Sequence, residues 1–375
     1  MAAFALPAGS AFKALKPLWL HSAPYDLSWY FGTCFVPFIV FMPLTWILGS
    51  DLDAYVIEAI LFGVTHNFLT WALMFPGDGR HYYASGVLVK PVILASVFLI
   101  PLYLWFRMPG FQWAILVENC LGLYHVIRQH QGIIQAYDGR YTDYTGDTGF
   151  RHYITPWRHI MASYILIVLA WKLTGPPIEF HIPGCPTYYL PIPTIPIFAL
   201  VPVALVWLLF AAHFARLTIK RTRSGLPLPV GHLVVGLAAM LNATMAVALI
   251  PHTQGFLLTL PLAAFHNIQY FGFCWTHHRQ RANLEESPAD CFTRWAKEAR
   301  WQPYFSAPFL YGACFVGFYI AVTPAVATLV GTWFQFVHYL TDGFIWQRRY
   351  YPAMGRVVRQ PIVTNAATTT ADSPA

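Results

Sequence analysis

An all-α polytopic membrane bundle is the fold class that this 375-residue sequence predicts, on three observations. Apolar residues make up 57% of the chain and charged residues only 10%, where soluble domains carry roughly 45–50% and about 25%. Ten stretches of mostly apolar residues approach the length of about 20 that crosses a bilayer. The basic residues gather in alternate loops. So few charges leave a water-soluble globule of this size without a polar surface.

Residues 1–27 carry Lys13 and Lys16 but no long apolar run followed by a cleavage site, which reads as a cytoplasmic arm. The transmembrane domain is expected over 28–349, with spans near 28–49, 53–76, 87–106, 111–137, 157–173, 195–219, 228–249, 256–278, 305–326 and 328–347. The last two make a tight hairpin with Pro324 in the turn. The 14 Trp and 21 Tyr suit aromatic belts at the two membrane interfaces. Segment 174–194 is proline-rich and almost uncharged, as expected of a cap on the outer face. Segment 279–304 reads as an amphipathic cytoplasmic helix lying on the membrane surface. The cytoplasmic tail, 350–375, ends in small polar residues and is expected to be disordered there. No internal repeat argues for an inverted-repeat transporter.

Orientation follows from lysine and arginine. With the N-terminus inside and ten alternating spans, both termini are cytoplasmic, in an inner or plasma membrane if the source is bacterial. The outer side then receives only Arg107 and Lys172 of the 23 basic residues. The net charge of +7 is therefore a topology signal, and no basic stripe interleaved with aromatics points to nucleic acid. The six cysteines form no CxxC pair, which argues against a disulfide framework or a zinc knuckle.

On this topology, His181 and His252 alone of the 15 histidines fall on the outer side. Several lie well inside apolar helices: His66, His125 and His130, His266, and His338. Ionisable groups at that depth are costly and face the bundle interior or a wet cavity. One such histidine is as readily an interhelical hydrogen bond as a ligand; five across four spans point to a shared site.

Helical spacing sorts them, because residues four, seven and eleven apart share a face. Glu118, His125 and Gln129 form one stripe, with His130 turned away. His266, Tyr270 and His277 form another, but His266 and His277 stand about 16 Å apart along the axis at 1.5 Å per residue, too far to share an ion. His277 and His278 diverge by about 100°, which places one towards the core and the other towards the interface. His338 and Asp342, four apart, offer two ligands, or a ligand oriented by a carboxylate. The candidate metal set is His66, His125, His130, His266, His277, His278, His338, Asp342 and Glu118, with Asp342 and Tyr270 as candidate catalytic groups. Approach of the His125, His266 and His338 nitrogens to within about 5 Å would support ligation, since metal–nitrogen bonds are roughly 2.0–2.1 Å.

Imidazole-rich sites with some carboxylate suit iron, copper or zinc. In helix count, histidine number and histidine side, the chain resembles the multi-histidine integral membrane oxygenases, desaturases and hydroxylases. The HxxxH and HxxHH desaturase boxes are missing, and His277–His278 echoes only the paired histidines of the last box. "FGVTH" at 62–66 is distantly similar to the span histidines of bacterial membrane carotene-cleaving dioxygenases. The resemblance implies non-haem iron and an apolar substrate of lipid or isoprenoid type, with membrane lipids as partners. No Rossmann-type glycine fingerprint or haem-attachment motif occurs, so a reductant would come from a separate electron donor. Two other classes stay open: a haem- or pigment-binding membrane protein, recognisable by its visible spectrum, and a proton or metal transporter using Glu58, Glu118 and the histidines.

Overall fold

The computed structural model describes residues 19–74, 89–106, 111–145, 149–181, 187–226, 228, 230–283, 290–322 and 324–345. They are almost wholly helical. The first stretch is broken: α1 (Ala23–Tyr30) passes through a 3₁₀ turn, Gly32–Phe35, and a π-helical turn, Pro37–Phe41, into α2 (Met42–Leu48). Pro37 and Pro43 remove amide donors there, which is why the α-helical ladder does not run through. Gly49, at φ +68°, closes α2, and the Ser50 hydroxyl caps α3 (Asp51–Glu58) by accepting from Asp53 N. A second π-helical turn, Ala59–Val64, joins α3 to α4 (Thr65–Met74).

The chain continues through α5 (Val89–Phe106), α6 (Phe111–Thr145) and α7 (Phe150–Lys172). A short pair of strands follows, β1 (Glu179–Phe180) antiparallel to β2 (Tyr188–Tyr189). Then come α8 (Leu200–Arg223), α9 (Val230–Leu249), α10 (Gly255–Ala282), α11 (Cys291–Lys297), α12 (Trp301–Ala321) and α13 (Pro324–Ile345). Helix runs through the greater part of the described residues in each of the ten apolar stretches. Among the described residues, four helical runs are long and apolar enough to cross a membrane: Ala23–Leu48, Asp51–Thr70, Ile197–Arg223 and Val230–Leu249. Their outward faces are apolar too; Ile47 is 79% exposed and Leu209 71%, a surface suited to lipid rather than to water.

Helix α6 has 35 residues, hence a length of about 52 Å at 1.5 Å per residue, and outruns a bilayer core of about 30 Å. Helix α10 is the central pillar. It packs against α1, α3, α4, α6, α9 and α11 and is buried on every side, although it carries Asn267, Gln269, His277 and Arg281 as well as its apolar residues. A helix buried all round normally has an apolar circumference, so this polar content marks α10 as the carrier of an internal site. Around it, Ile178 and Phe180 of the 174–194 segment pack into the core beside Leu257 and Leu260. The single surface helix expected over 279–304 is corrected: 279–282 complete α10, Cys291–Lys297 form the seven-residue α11, which packs on α10 and α12 with Phe292, Thr293 and Ala296 buried, and α12 begins at Trp301.

Helix α12 lies against the second π-helical turn. A Cβ on Gly312 would stand 2.8 Å from Thr65 Cγ2 and 3.0 Å from Ile60 O, and neither a β-branched methyl nor a backbone carbonyl yields easily. Gly312→Ala is expected to destabilise the protein by about 1–3 kcal/mol, seen as a lower thermal midpoint in detergent. Gly317→Ala on the same helix meets nothing within 4 Å and should leave the midpoint unchanged or raised. Equal midpoints for the two variants would contradict this packing.

Candidate metal centre

The second π-helical turn decides where His66 points. Thr65 Oγ1 bonds to Leu61 O at 2.5 Å and to Phe62 O at 3.0 Å, occupying carbonyls at the turn where the π-helix passes into α4. π-helical turns of this kind occur frequently at functional sites. From the start of α4, His66 turns inward and meets three other histidines, each on a different helix: His125 on α6, His266 on α10 and His338 on α13. All four are buried, and each offers a ligand atom within 4.8 Å of the other three.

Four of the ring pairs are close, while His66 and His125 stand 6.2 Å apart between centroids. The ring centroid of His66 lies 4.8 Å from that of His266 and 4.3 Å from that of His338. His125 lies 4.7 Å from His266 and 4.8 Å from His338. The Nε2 atoms of His125 and His338 face one another at 3.2 Å. Nitrogens sharing one ion at about 2.1 Å stand about 3–4.2 Å apart, so small side-chain rotations bring the group onto a single centre.

Hydrogen bonding fits the same reading. His66 Nε2, both ring nitrogens of His266 and His338 Nδ1 are buried without a hydrogen-bond partner. Each such group costs about 1–3 kcal/mol if left unsatisfied. An imidazole gives a metal one nitrogen, so ligation would satisfy His66 Nε2 and one nitrogen of His266, while His338 Nδ1 lies on the far side of its ring from the Nε2 that faces His125. Gln129 ties α6 to α10 by donating from Nε2 to His266 O at 3.1 Å, and the Tyr339 ring lies 4.7 Å from that of His125.

Asp342 and Tyr270 border the group. Asp342 Oδ2 stands 3.8 Å from His125 Nε2 and 3.7 Å from His338 Nε2. The Tyr270 ring stacks edge-on against His66 at 4.6 Å, and its hydroxyl is 3.0 Å from Thr70 Oγ1. Thr70 has no place in the histidine pattern. The signal that would have found it is its spacing, four residues after His66 on α4 and so on the same face.

Comparison of the chain with protein-family models, curated proteins and solved structures gives no match. The donor set therefore has to be judged on its own chemistry, and the remaining candidate ligands on where they lie. His130 is turned towards α10, with Nδ1 2.8 Å from Gln269 Oε1 and its ring stacked on Phe265. His278 places Nδ1 2.9 Å from both Cys274 O and Tyr304 OH. His277 sits beside it at 5.7 Å between centroids, near the C-terminal end of α10. None of these three joins the four-histidine group. The expected division of His277 and His278 between core and interface is corrected: both are buried, at 2% and 0% exposure, because α11 and the start of α12 cover the end of α10. Glu118 lies on α6 seven residues before His125, and its side chain falls outside the described residues, as does His81.

Among the other histidines, His152, His159, His181 and His213 are exposed. His232 is packed among Phe150, Tyr137 and Tyr141, and His252 bonds to Lys172 O at 2.9 Å.

Proposed function

We propose that this chain is a ten-span integral membrane metal-dependent oxidoreductase, of the non-haem iron oxygenase, hydroxylase or desaturase type. Both termini lie on the cytoplasmic side, and the substrate is lipid-like or isoprenoid. The observation that carries this reading is the convergence of His66, His125, His266 and His338 from four helices at one buried point. An imidazole set with a neighbouring carboxylate suits iron, with copper or zinc as the other candidates; bound iron would supply oxygen activation. The chain's own contribution is a rigid, dry cradle. All four imidazoles are buried, which keeps bulk water from the centre.

A haem uses axial ligands on opposite faces of a macrocycle. Four mutually adjacent imidazoles do not divide that way, which supports a non-haem centre. No dinucleotide fingerprint occurs in the sequence, so reducing equivalents would come from a separate partner. A second reading, passage of a proton or metal ion, draws on Glu58, a buried carboxylate that accepts from Asn267 Nδ2 at 2.8 Å on the other side of the π-helical turn from His66. The one-sided placement of the other polar groups favours the enzyme.

Metal analysis after gentle detergent extraction tests the assignment. About one equivalent of a transition metal is expected, with no Soret band, and less than about 0.3 equivalents of any transition metal would count against it. Metal-dependent ion flux in proteoliposomes would favour the transport reading.

A further inference from the structure

The Asp342 carboxylate is gripped on one edge. Its Oδ1 accepts from Thr70 Oγ1 at 2.9 Å. The Thr70 hydroxyl has a single proton, committed to that bond, so in the 3.0 Å contact between Thr70 and Tyr270 it is the tyrosine that donates. The direct Tyr270–Asp342 separation, 3.5 Å, lies at the limit of a hydrogen bond and is secondary. The resulting order, Tyr270 to Thr70 to Asp342, spans α10, α4 and α13. Thr70 and Tyr270 are fully buried and Asp342 is 6% exposed, so neighbouring helices hold each of them.

This grip fixes where the other oxygen goes. Oδ2 stands 3.8 Å and 3.7 Å from the Nε2 atoms of His125 and His338, the same two nitrogens that face each other at 3.2 Å. A carboxylate that merely orients a metal-bound histidine meets the ring nitrogen remote from the metal. Here it approaches the nitrogens that point into the group.

We propose that Thr70 is a positioning residue, whose hydroxyl, backed by Tyr270, turns Asp342 into the four-histidine group as a fifth ligand to one divalent transition-metal ion. The inference rests on the metal-centre reading and deepens it. Electrostatics supports it as well: four neutral imidazoles leave a divalent ion with its full charge inside an apolar bundle, and one carboxylate halves that charge. Uncompensated charge at membrane depth is costly.

Cobalt(II) loading of the full-length protein in detergent provides the test, with affinity and the visible ligand-field spectrum as readouts. The parent should show the weak bands of a five- or six-coordinate ion, and Asp342→Ala the stronger bands of a four-coordinate one. Thr70→Val should weaken cobalt binding about 10–100-fold, the effect usual for losing a group that orients a ligand, and shift the spectrum towards that of Asp342→Ala. Thr70→Ser restores the hydroxyl and should resemble the parent. If Thr70→Val does not survive extraction, Thr70→Ala replaces it in the same comparison. A parent-like affinity and spectrum without the hydroxyl would overturn the role of Thr70. One shared spectrum for the parent and Asp342→Ala would overturn the fifth ligand. A parent that takes up no stoichiometric cobalt would overturn the metal centre itself, and this inference with it.

Discussion

Replacing any one of His66, His125, His266 or His338 by alanine is expected to lower the bound transition metal from about one equivalent to below about a third, whereas alanine at His130 or His278 leaves it near the parent level. The contrast follows from position. The first four place ligand atoms within 4.8 Å of one another, while His130 and His278 bond elsewhere on α10 or α12, to Gln269 and to Tyr304. Both sets are buried, so each substitution removes a buried imidazole and costs packing. Metal content normalised to folded protein separates that cost from loss of a ligand. Stability gives an independent readout. A ligand that binds only the folded state stabilises it by about 4 kcal/mol at a thousand times its dissociation constant. Chelation should therefore lower the thermal midpoint of the parent, and metal should restore it. The four ligand variants should already show the lower midpoint and respond to neither treatment. Metal loss spread evenly over all six positions would sink the four-histidine assignment.

Much of the architecture was legible because its physics is one-dimensional. Length and apolarity placed ten stretches; the described residues of these are mostly helical, and four helical runs are long and apolar enough to cross a membrane. The interruptions in the first two were not legible beyond the prolines, since π-helical turns depend on how neighbouring helices press on the backbone. At the site, spacing along α10 set His266 apart from His277, and the four-histidine group contains the first without the second. It had less hold on His130, His277 and His278. Helical spacing tells which residues share a face, but not which neighbouring helix that face meets. On α10 the difficulty is greatest: every side is buried, so its pattern distinguishes no inner face from an outer one. Convergence of His66, His125, His266 and His338 is set by the rotation and register of four helices, which sequence spacing does not contain. Asp342 was legible because its partner, His338, lies on the same helix. Thr70 was not, because its partners lie on α10 and α13.

Asp26→Ala is expected to destabilise the whole bundle by about 3–5 kcal/mol, because three buried or part-buried donors lose their acceptor at about 1–3 kcal/mol each. Asp26 is fully buried and accepts from Leu20 N at 2.6 Å, His21 N at 3.1 Å and the Tyr137 hydroxyl. Leu20 O in turn accepts from Arg140 and, at 2.9 Å, from Gln280. The carboxylate thus ties the entry to α1 to the end of α6, and the Leu20 carbonyl beside it ties the same entry to α10, the two helices that carry His125 and His266. Alanine leaves three donors unsatisfied at once. Asparagine keeps one acceptor oxygen but turns an NH₂ towards donors, so Asp26→Asn should fall between alanine and the parent. Tyr137→Phe removes a single bond to a charged group, worth about 1.5–3 kcal/mol. Because the two residues share that bond, the double variant Asp26→Ala/Tyr137→Phe should cost less than the sum of the single changes. Denaturant or thermal midpoints in detergent measure all four variants. Additive losses would show that the residues act independently, and an unchanged midpoint for Asp26→Ala would show that the tie contributes nothing to stability.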